Sequence, residues 1–229
     1  MRRSPVVSRG LVAVFGLSLT IGSVRSVEAG FVDFNPDPNV TQTASWPQPS
    51  KIKIFIPPEL AGDNRMNFEM GINTIVACLT QITVNYESGN PPGGATNAID
   101  VNIVPMVSNG GELGLAEPGA VFDPPNEPHG EIDGGTISID DDALGNANLL
   151  KNLGAHEFGH MLGLDDTPRT MGPRTNVMDP DFNASSPFVG LSADEKTMLM
   201  QHYTVVPEPL VGSAALATLP ALGLRRRRP

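Results

Sequence analysis

The segment Gly154–Pro168 (GAHEFGHMLGLDDTP) constrains this chain more than any other stretch of its sequence. On an α-helix, residues i and i+4 lie on the same face, so His156 and His160 would present two imidazoles to one point. Imidazoles are common zinc ligands, and one face of a helix can supply only two of them. The segment therefore predicts a helix that carries part of a metal site, with a further ligand from beyond the helix.

Glu157 follows His156 and is turned about 100° around the helix axis from it. That position suits a carboxylate that reaches a zinc-bound water rather than the ion itself. The pKa of such a water falls toward about 7. Glu157 is predicted to take its proton as general base and to pass it to a leaving amine. The alternative is an ordinary helix with two solvated histidines and a glutamate.

Gly163 lies three residues after His160 and can adopt the left-handed conformation that ends a helix. The chain can then turn back and bring Asp166 to the ion as the third ligand. Asp165 competes for this role, although the spacing favours Asp166. A carboxylate oxygen binds zinc at about the same distance as an imidazole nitrogen. Because Asp adds a negative charge, we expect a weaker Lewis acid than in a site with three histidines.

From His156 to Asp166, the pattern His-Glu-x-x-His-x-x-Gly-x-x-Asp resembles that of the metzincin metallopeptidases, in their matrixin-like branch. The stretch TNVMDP resembles the Met-turn of this family, with Met178 beneath the metal. The stretch LSADEKTMLMQHY resembles the final helix of the family. The resemblance covers roughly Lys51 to Tyr203.

The resemblance implies an α/β (α+β) catalytic domain: a twisted mixed sheet with an active-site helix and a C-terminal helix. It also implies zinc-dependent hydrolysis of peptide bonds in extended protein or peptide substrates. An edge strand would pair with the substrate, and Gly111–Gly119 (GELGLAEPG) is our candidate for it. Pro180 and Phe182 would form the wall of the specificity pocket. No cysteine-containing activation motif lies upstream, so inhibition by a prodomain thiol is not predicted.

Two other functions fit parts of the pattern. A zincin with a distant glutamate ligand, such as Glu195, is one, but Gly163 and Met178 argue against it. A non-catalytic surface or biofilm-matrix protein that keeps a metzincin fold is the other. Glu157 argues against this second function, because a purely structural helix does not require a base there.

Both ends of the chain resemble targeting segments. Residues 1–29 combine arginines, an apolar run and small residues suited to signal peptidase, although a retained membrane helix is the alternative. Residues 206–229 (VPEPLVGSAALATLPALGLRRRRP) resemble a PEP-CTERM sorting signal, which an exosortase processes; an ordinary membrane anchor is the alternative. These ends predict export to the bacterial cell envelope, cell surface or extracellular matrix, with membrane contact only through the C-terminal segment.

The charge balance restricts the partners. Without these ends, the 15 basic residues lose eight and the 25 acidic residues lose two, which leaves a net charge of about −16. Such a surface repels nucleic acid. The acidic stretches Asp140–Asp142 and Glu127–Gly135 have oxygen ligands suited to Ca²⁺, and a solvated acidic surface is the other account. Cys78 is the only cysteine, so no internal disulfide can form.

The order of predicted elements is strand, helix, several strands, helix, loop and helix. Residues 30–50 are predicted to be a flexible N-terminal arm, and residues 51–205 the catalytic domain. His129 is a candidate ligand for a second metal or a solvated loop residue, and His202 is predicted to be a surface residue. The predicted strands are 51–56, 82–88, 98–107 and 135–140. One helix is predicted over 64–82, a second begins at about residue 148, and a third covers 189–203. Residues 110–135 are predicted to be a long loop, apart from the candidate edge strand.

Overall fold

The computed structural model describes residues 43–105, 113–121, 129–167, 176–180, 183 and 185–203. These residues form a mixed α/β domain in which three α-helices accompany a six-stranded, mostly parallel sheet. The general α/β class is therefore confirmed. The predicted signal peptide and sorting segment lie outside the described residues. No helix within the described ranges is long and apolar enough to span a membrane.

The sheet is built around one long strand, β6. Thr136 on β6 pairs with Asp100 of a parallel strand and with Glu117 of an antiparallel strand, so these two neighbours lie on opposite sides of β6. On one side of β6, β1 pairs with its start and β4 with its C-terminal part, and the order continues from β4 to β2 and β3. Strand β5 pairs with the other side of β6. The strands are β1 (Thr43–Ser45), β2 (Ile52–Ile56), β3 (Val84–Ser88), β4 (Ala98–Val104), β5 (Gly114–Val121) and β6 (His129–Asp140).

Glycines bring the first two helices into close contact. The helices are α1 (Asp63–Val76), α2 (Ala147–Met161) and α3 (Ala193–Tyr203). A Cβ at Gly71 on α1 would overlap the backbone of Lys151 on α2, and a Cβ at Gly154 on α2 would overlap the backbone of Phe68. The backbones can therefore approach closely, and α2 packs against α1 on one side and against β5 and β6 on the other.

Three parts of the fold differ from the sequence prediction. The first helix ends at Val76 rather than near residue 82, although Leu79 and Ile82 remain buried. The stretch 110–135, predicted as a long loop apart from the candidate edge strand at Gly111–Gly119, contains β5 and the first half of β6. Residues 43–50, predicted as part of a flexible arm, form β1 and a short 3-10 turn, and Trp46 is buried in the core.

Candidate metal centre

Helix α2 carries three of the candidate residues on its C-terminal half. Its N-terminus is capped by Asn146, whose side-chain oxygen accepts a hydrogen bond from the Leu149 N–H at 3.0 Å. His156 and Glu157 are buried, and His160 is half-buried. Because α2 is packed between α1 and the sheet, these side chains project from a fixed element.

Three acceptor atoms converge beside the last turns of α2. The Nε2 atoms of His156 and His160 are 3.2 Å apart, and Oδ1 of Asp166 is 3.4 Å from each of them. In a tetrahedral site with bonds of about 2.05 Å, two ligand atoms are about 3.3 Å apart. An octahedral site with the same bonds would bring neighbouring ligands to about 2.9 Å. The observed spacing therefore fits a tetrahedral ion of the size of zinc.

Backbone carbonyls orient both imidazole rings. Nδ1 of His156 donates to the Val177 carbonyl at 2.9 Å, and Nδ1 of His160 donates to the Leu164 carbonyl at 2.8 Å. A carbonyl oxygen can only accept, so the tautomer assigned from these bonds has its proton on Nδ1. Each Nε2 then presents a lone pair, which is the form of histidine that ligates metals.

The electrostatic surroundings of His160 favour a positive charge. Burial acts to lower the pKa of this imidazole. The hydrogen bond to Asp166 and the charge of Glu157 act in the opposite direction, and the pKa is raised overall. A site that stabilises a proton in this way also attracts a metal cation, and the two compete for the same nitrogen.

The turn after α2 brings Asp166, rather than Asp165, to the two imidazoles. The helix ends at Met161, and Gly163 has a φ of 90°, in the left-handed region. Oδ1 of Asp165 accepts a hydrogen bond from the Asp166 N–H at 2.8 Å, so this carboxylate stabilises the turn. The Asp166 side chain is 48% exposed, which leaves this side of the cluster open to solvent.

The carboxylate of Glu157 lies between α2 and the first residue of β5. A Cβ at Gly114 would overlap this carboxylate and the side chain of Leu153, so the glycine makes room for the acid. A carboxylate oxygen of Glu157 lies within 4.8 Å of one ring nitrogen of His156 and of one ring nitrogen of His160. The acid is therefore close to the converging atoms and adjacent to strand β5.

The turn that contains Met178 packs directly beneath α2. Met178 is fully buried, and a Cβ at Gly159, next to His160, would overlap its sulfur. The backbone of Met178 is fixed on both sides: its carbonyl accepts from the Thr167 N–H, and its N–H donates to Oε1 of Glu195, both at 2.9 Å. Val177, the carbonyl partner of His156, belongs to the same turn.

Glu195 fixes this turn from the start of α3. Its side chain is fully buried, and Oε2 accepts a hydrogen bond from the Ser192 N–H at 2.6 Å. The Ser192 hydroxyl in return accepts from the Glu195 N–H at 3.2 Å, so the two residues form a capping box at the start of α3. Because both oxygens of Glu195 accept from backbone N–H groups, this geometry supports a structural role rather than that of a distant metal ligand.

We expect Met178→Ala to lower the free energy of unfolding by about 2–4 kcal/mol, because it leaves a cavity beneath α2. Met178→Leu nearly conserves the volume and should cost less than about 1.5 kcal/mol. Urea denaturation of both variants measures the difference. Equal stability of the two would show that packing against Gly159 does not support the helix.

The other candidate residues lie in different surroundings. Pro180 is partly exposed after the Met178 turn, and Phe182 lies outside the described residues. His129 is exposed at the start of β6, where its Nδ1 is 3.0 Å from the Thr43 hydroxyl. His202, expected on the surface, is half-buried with Nε2 3.2 Å from the Ala44 carbonyl.

The second acidic cluster and the cysteine show local structural roles. Asp140, Asp141 and Asp142 lie within 4.8 Å of one another, and Oδ1 of Asp140 caps the N–H of Asp142 at 2.9 Å. Ca²⁺ binding there remains a prediction from composition. Cys78 packs against the core, and its thiol donates weakly to the Thr74 carbonyl at 3.5 Å.

Sequence reasoning missed two residues that contact the end of α2. Trp46 donates to the Met161 carbonyl, and Tyr203 donates to the Leu162 carbonyl. Trp46 is the only tryptophan of the chain and lies in a proline-rich stretch, a composition that favours the prediction of a loose segment.

Comparison with models of known protein families gave no match, and comparison with curated proteins gave no significant one.

Proposed function

We propose that this protein is an exported zinc-dependent endopeptidase of the metzincin type. His156, His160 and Asp166 would hold one zinc ion, and Glu157 would be the general base. The observation that carries the proposal is that three acceptor atoms lie 3.2–3.4 Å from one another, the spacing of three ligands around one tetrahedral zinc ion. Two imidazoles and a carboxylate are donors that suit zinc, whereas Ca²⁺ takes only oxygen ligands.

A bound zinc ion would supply a Lewis acid that polarises the scissile carbonyl and makes a coordinated water more acidic. Glu157 takes the proton of the attacking water on its carboxylate and then delivers it to the leaving amine nitrogen. The close approach of Gly114 to the carboxylate of Glu157 restricts the motion of that carboxylate. The exposed side of Asp166 leaves a path by which water and substrate can enter.

Strand β5 is the proposed substrate-binding edge. Among the described residues it pairs only with β6, so its other edge offers unpaired N–H and C=O groups. An extended peptide can add to such an edge as a further strand. Because β5 begins beside Glu157, a peptide bound along it would pass the general base. The edge strand expected at Gly111–Gly119 corresponds to β5, shifted toward the C-terminus.

The same three ligands also suit a different metal and reaction, which the zinc proposal has to exclude. Two histidines and one carboxylate, with further positions open, are equally the ligand set of non-haem iron oxygenases. The tetrahedral spacing and the adjacent Glu157 favour zinc and hydrolysis. A non-catalytic surface or matrix protein with the same fold would need neither the metal nor the base.

Metal analysis combined with a casein cleavage assay tests the proposed function. We expect about one zinc ion per purified chain, casein hydrolysis, and loss of hydrolysis on treatment with a chelator. Bound iron in place of zinc, or zinc without hydrolysis under any condition that preserves the fold, would contradict the proposal. Calcium added after chelation should restore no activity, because the histidines do not suit that ion.

Export, processing by signal peptidase and exosortase, and attachment to the cell envelope remain proposals based on residues 1–29 and 206–229. The same is true of the pocket wall formed by Pro180 and Phe182. Mass spectrometry of the protein recovered from bacterial cells would identify both processed ends. Intact ends at residues 1 and 229 would contradict this part of the proposal.

A further inference from the structure

Two carbonyl groups at the end of α2 receive hydrogen bonds from distant parts of the chain. The last carbonyls of a helix have no partner within the helix. Trp46 Nε1 donates to the Met161 carbonyl at 2.6 Å, and the Tyr203 hydroxyl donates to the Leu162 carbonyl at 3.0 Å. These donors lie 115 and 41 residues away along the sequence. The end of α2 is thus held by both the first and the last described segments.

The two carbonyls immediately precede the turn that completes the metal centre. Gly163 reverses the chain, and its N–H donates to the His160 carbonyl at 2.8 Å. Leu164 then provides the carbonyl that orients the His160 ring, and Asp166 provides the third acceptor atom. The direction in which the chain leaves α2 therefore determines where Leu164 and Asp166 lie relative to the imidazoles.

Both donors are buried, so their loss cannot be compensated easily by solvent. Trp46 is 2% exposed and Tyr203 is 5% exposed. Burial raises the pKa of the Tyr203 phenol, although the nearby Trp46 backbone opposes this, so the hydroxyl keeps its proton and remains a donor. Removing either donor would leave a buried carbonyl without its partner and loosen the turn that follows.

We propose that Trp46 and Tyr203 are positioning residues for the metal centre, whose hydrogen bonds hold the end of α2 so that His160 and Asp166 meet at the ligand spacing. The inference rests on the proposed zinc site. Strand β1 pairs with the start of β6 and attaches the segment that carries Trp46. Zinc affinity is therefore coupled to the packing of the Trp46 segment against the end of α2. The coupling is reciprocal: bound zinc should in turn stabilise this packing.

The two tyrosines of the chain provide a matched comparison. Tyr203→Phe removes the hydroxyl that bonds the Leu162 carbonyl. Tyr86→Phe removes a hydroxyl whose acceptors both lie on helix α1: Oδ1 of Asn73 at 2.9 Å and the Glu69 carbonyl at 3.4 Å. Each variant loses one phenolic hydroxyl, but only the first loses a hydrogen bond at the end of α2. Trp46→Phe removes the indole N–H and retains an aromatic ring.

Zinc titration by competition with a chromophoric chelator tests the inference on the full chain. We expect the Kd for zinc to rise about three- to tenfold in Tyr203→Phe and Trp46→Phe, which corresponds to the loss of one hydrogen bond. Tyr86→Phe should bind zinc like the wild type. The absorption spectrum of the Co²⁺-substituted protein should change in the first two variants and not in the third, because the ligand geometry relaxes.

The coupling also has a spectroscopic signature in the unaltered protein. Because Trp46 is the only tryptophan, tryptophan fluorescence reports only how this segment packs against the end of α2. We expect zinc to reduce the quenching of this fluorescence by acrylamide, with the same Kd as direct titration.

Unchanged zinc affinity and Co²⁺ spectra in Tyr203→Phe and Trp46→Phe would overturn the inference and leave the proposed function intact. Equal weakening of zinc binding in Tyr86→Phe would also overturn it, because the effect would then be a general loss of stability. If Trp46→Phe fails to fold, Tyr203→Phe decides the question. A wild type that binds neither zinc nor cobalt would remove the proposed function and this inference together.

Discussion

Glu157→Gln is expected to retain zinc and to lose peptide hydrolysis, with kcat/KM reduced at least about a hundredfold. Glutamine has nearly the same shape as glutamate and fits the space beside Gly114, so the fold and the ligands should remain. Its amide cannot take a proton from water at neutral pH. General acid–base catalysis contributes about 10²–10⁴-fold, which sets the size of the expected loss.

The measurement is kcat/KM for a fluorogenic peptide, with zinc content determined on the same sample. Glu59→Gln, which neutralises an exposed carboxylate in the turn after β2, is the control for the change in charge. The control should retain activity within about twofold. A Glu157→Gln variant with full activity and full zinc content would exclude Glu157 as the base. Loss of zinc in this variant would instead indicate that the carboxylate supports the metal site.

Glu195→Ala is expected to destabilise the fold by about 3–5 kcal/mol, because the side chain is fully buried and accepts from two backbone N–H groups. This is a large part of the roughly 5–15 kcal/mol that stabilises a domain. The Met178 turn would lose its anchor, and with it the position of the Val177 carbonyl that orients His156. Urea denaturation and zinc titration should therefore both report the change.

Two milder variants separate the capping role of Glu195 from its role at the turn. Ser192→Ala removes one cap bond and should cost about 1 kcal/mol, with zinc affinity unchanged. Glu195→Gln retains the size of the side chain but can accept through only one oxygen, so it should cost about 1–3 kcal/mol. If Glu195→Gln lowers neither stability nor zinc affinity more than Ser192→Ala, the hydrogen bond from the Met178 N–H to Glu195 does not support the fold or the metal site.

Local spacing in the sequence was sufficient to predict where the candidate site lies. A helical spacing of four residues places His156 and His160 on one face, and Gly163 places the turn. Both rules depend only on backbone geometry within one segment. The cap formed by Ser192 and Glu195 is also local, and the structure contains it. The same spacing could not show which atoms orient the rings, because the carbonyls of Val177 and Leu164 have no sequence signal.

The sequence was least informative where long-range pairing determines the structure. Only the resemblance suggested a strand near β5, because Gly114, Pro118 and Gly119 disfavour strands and the composition predicts a loop; pairing with β6 stabilises the strand. Leu79 and Ile82 continue a helical period and are buried, but they follow α1 rather than extend it. Trp46 reads as part of a loose arm because nothing nearby in sequence shows that it packs against α2.

Zinc titrated into the metal-free protein, with peptide cleavage followed at each addition, tests the central claim most directly. The account predicts no cleavage without metal, a linear rise with added zinc, and a plateau at one equivalent per chain. Cleavage that does not depend on zinc, or no cleavage at any zinc concentration in a folded protein, would contradict it.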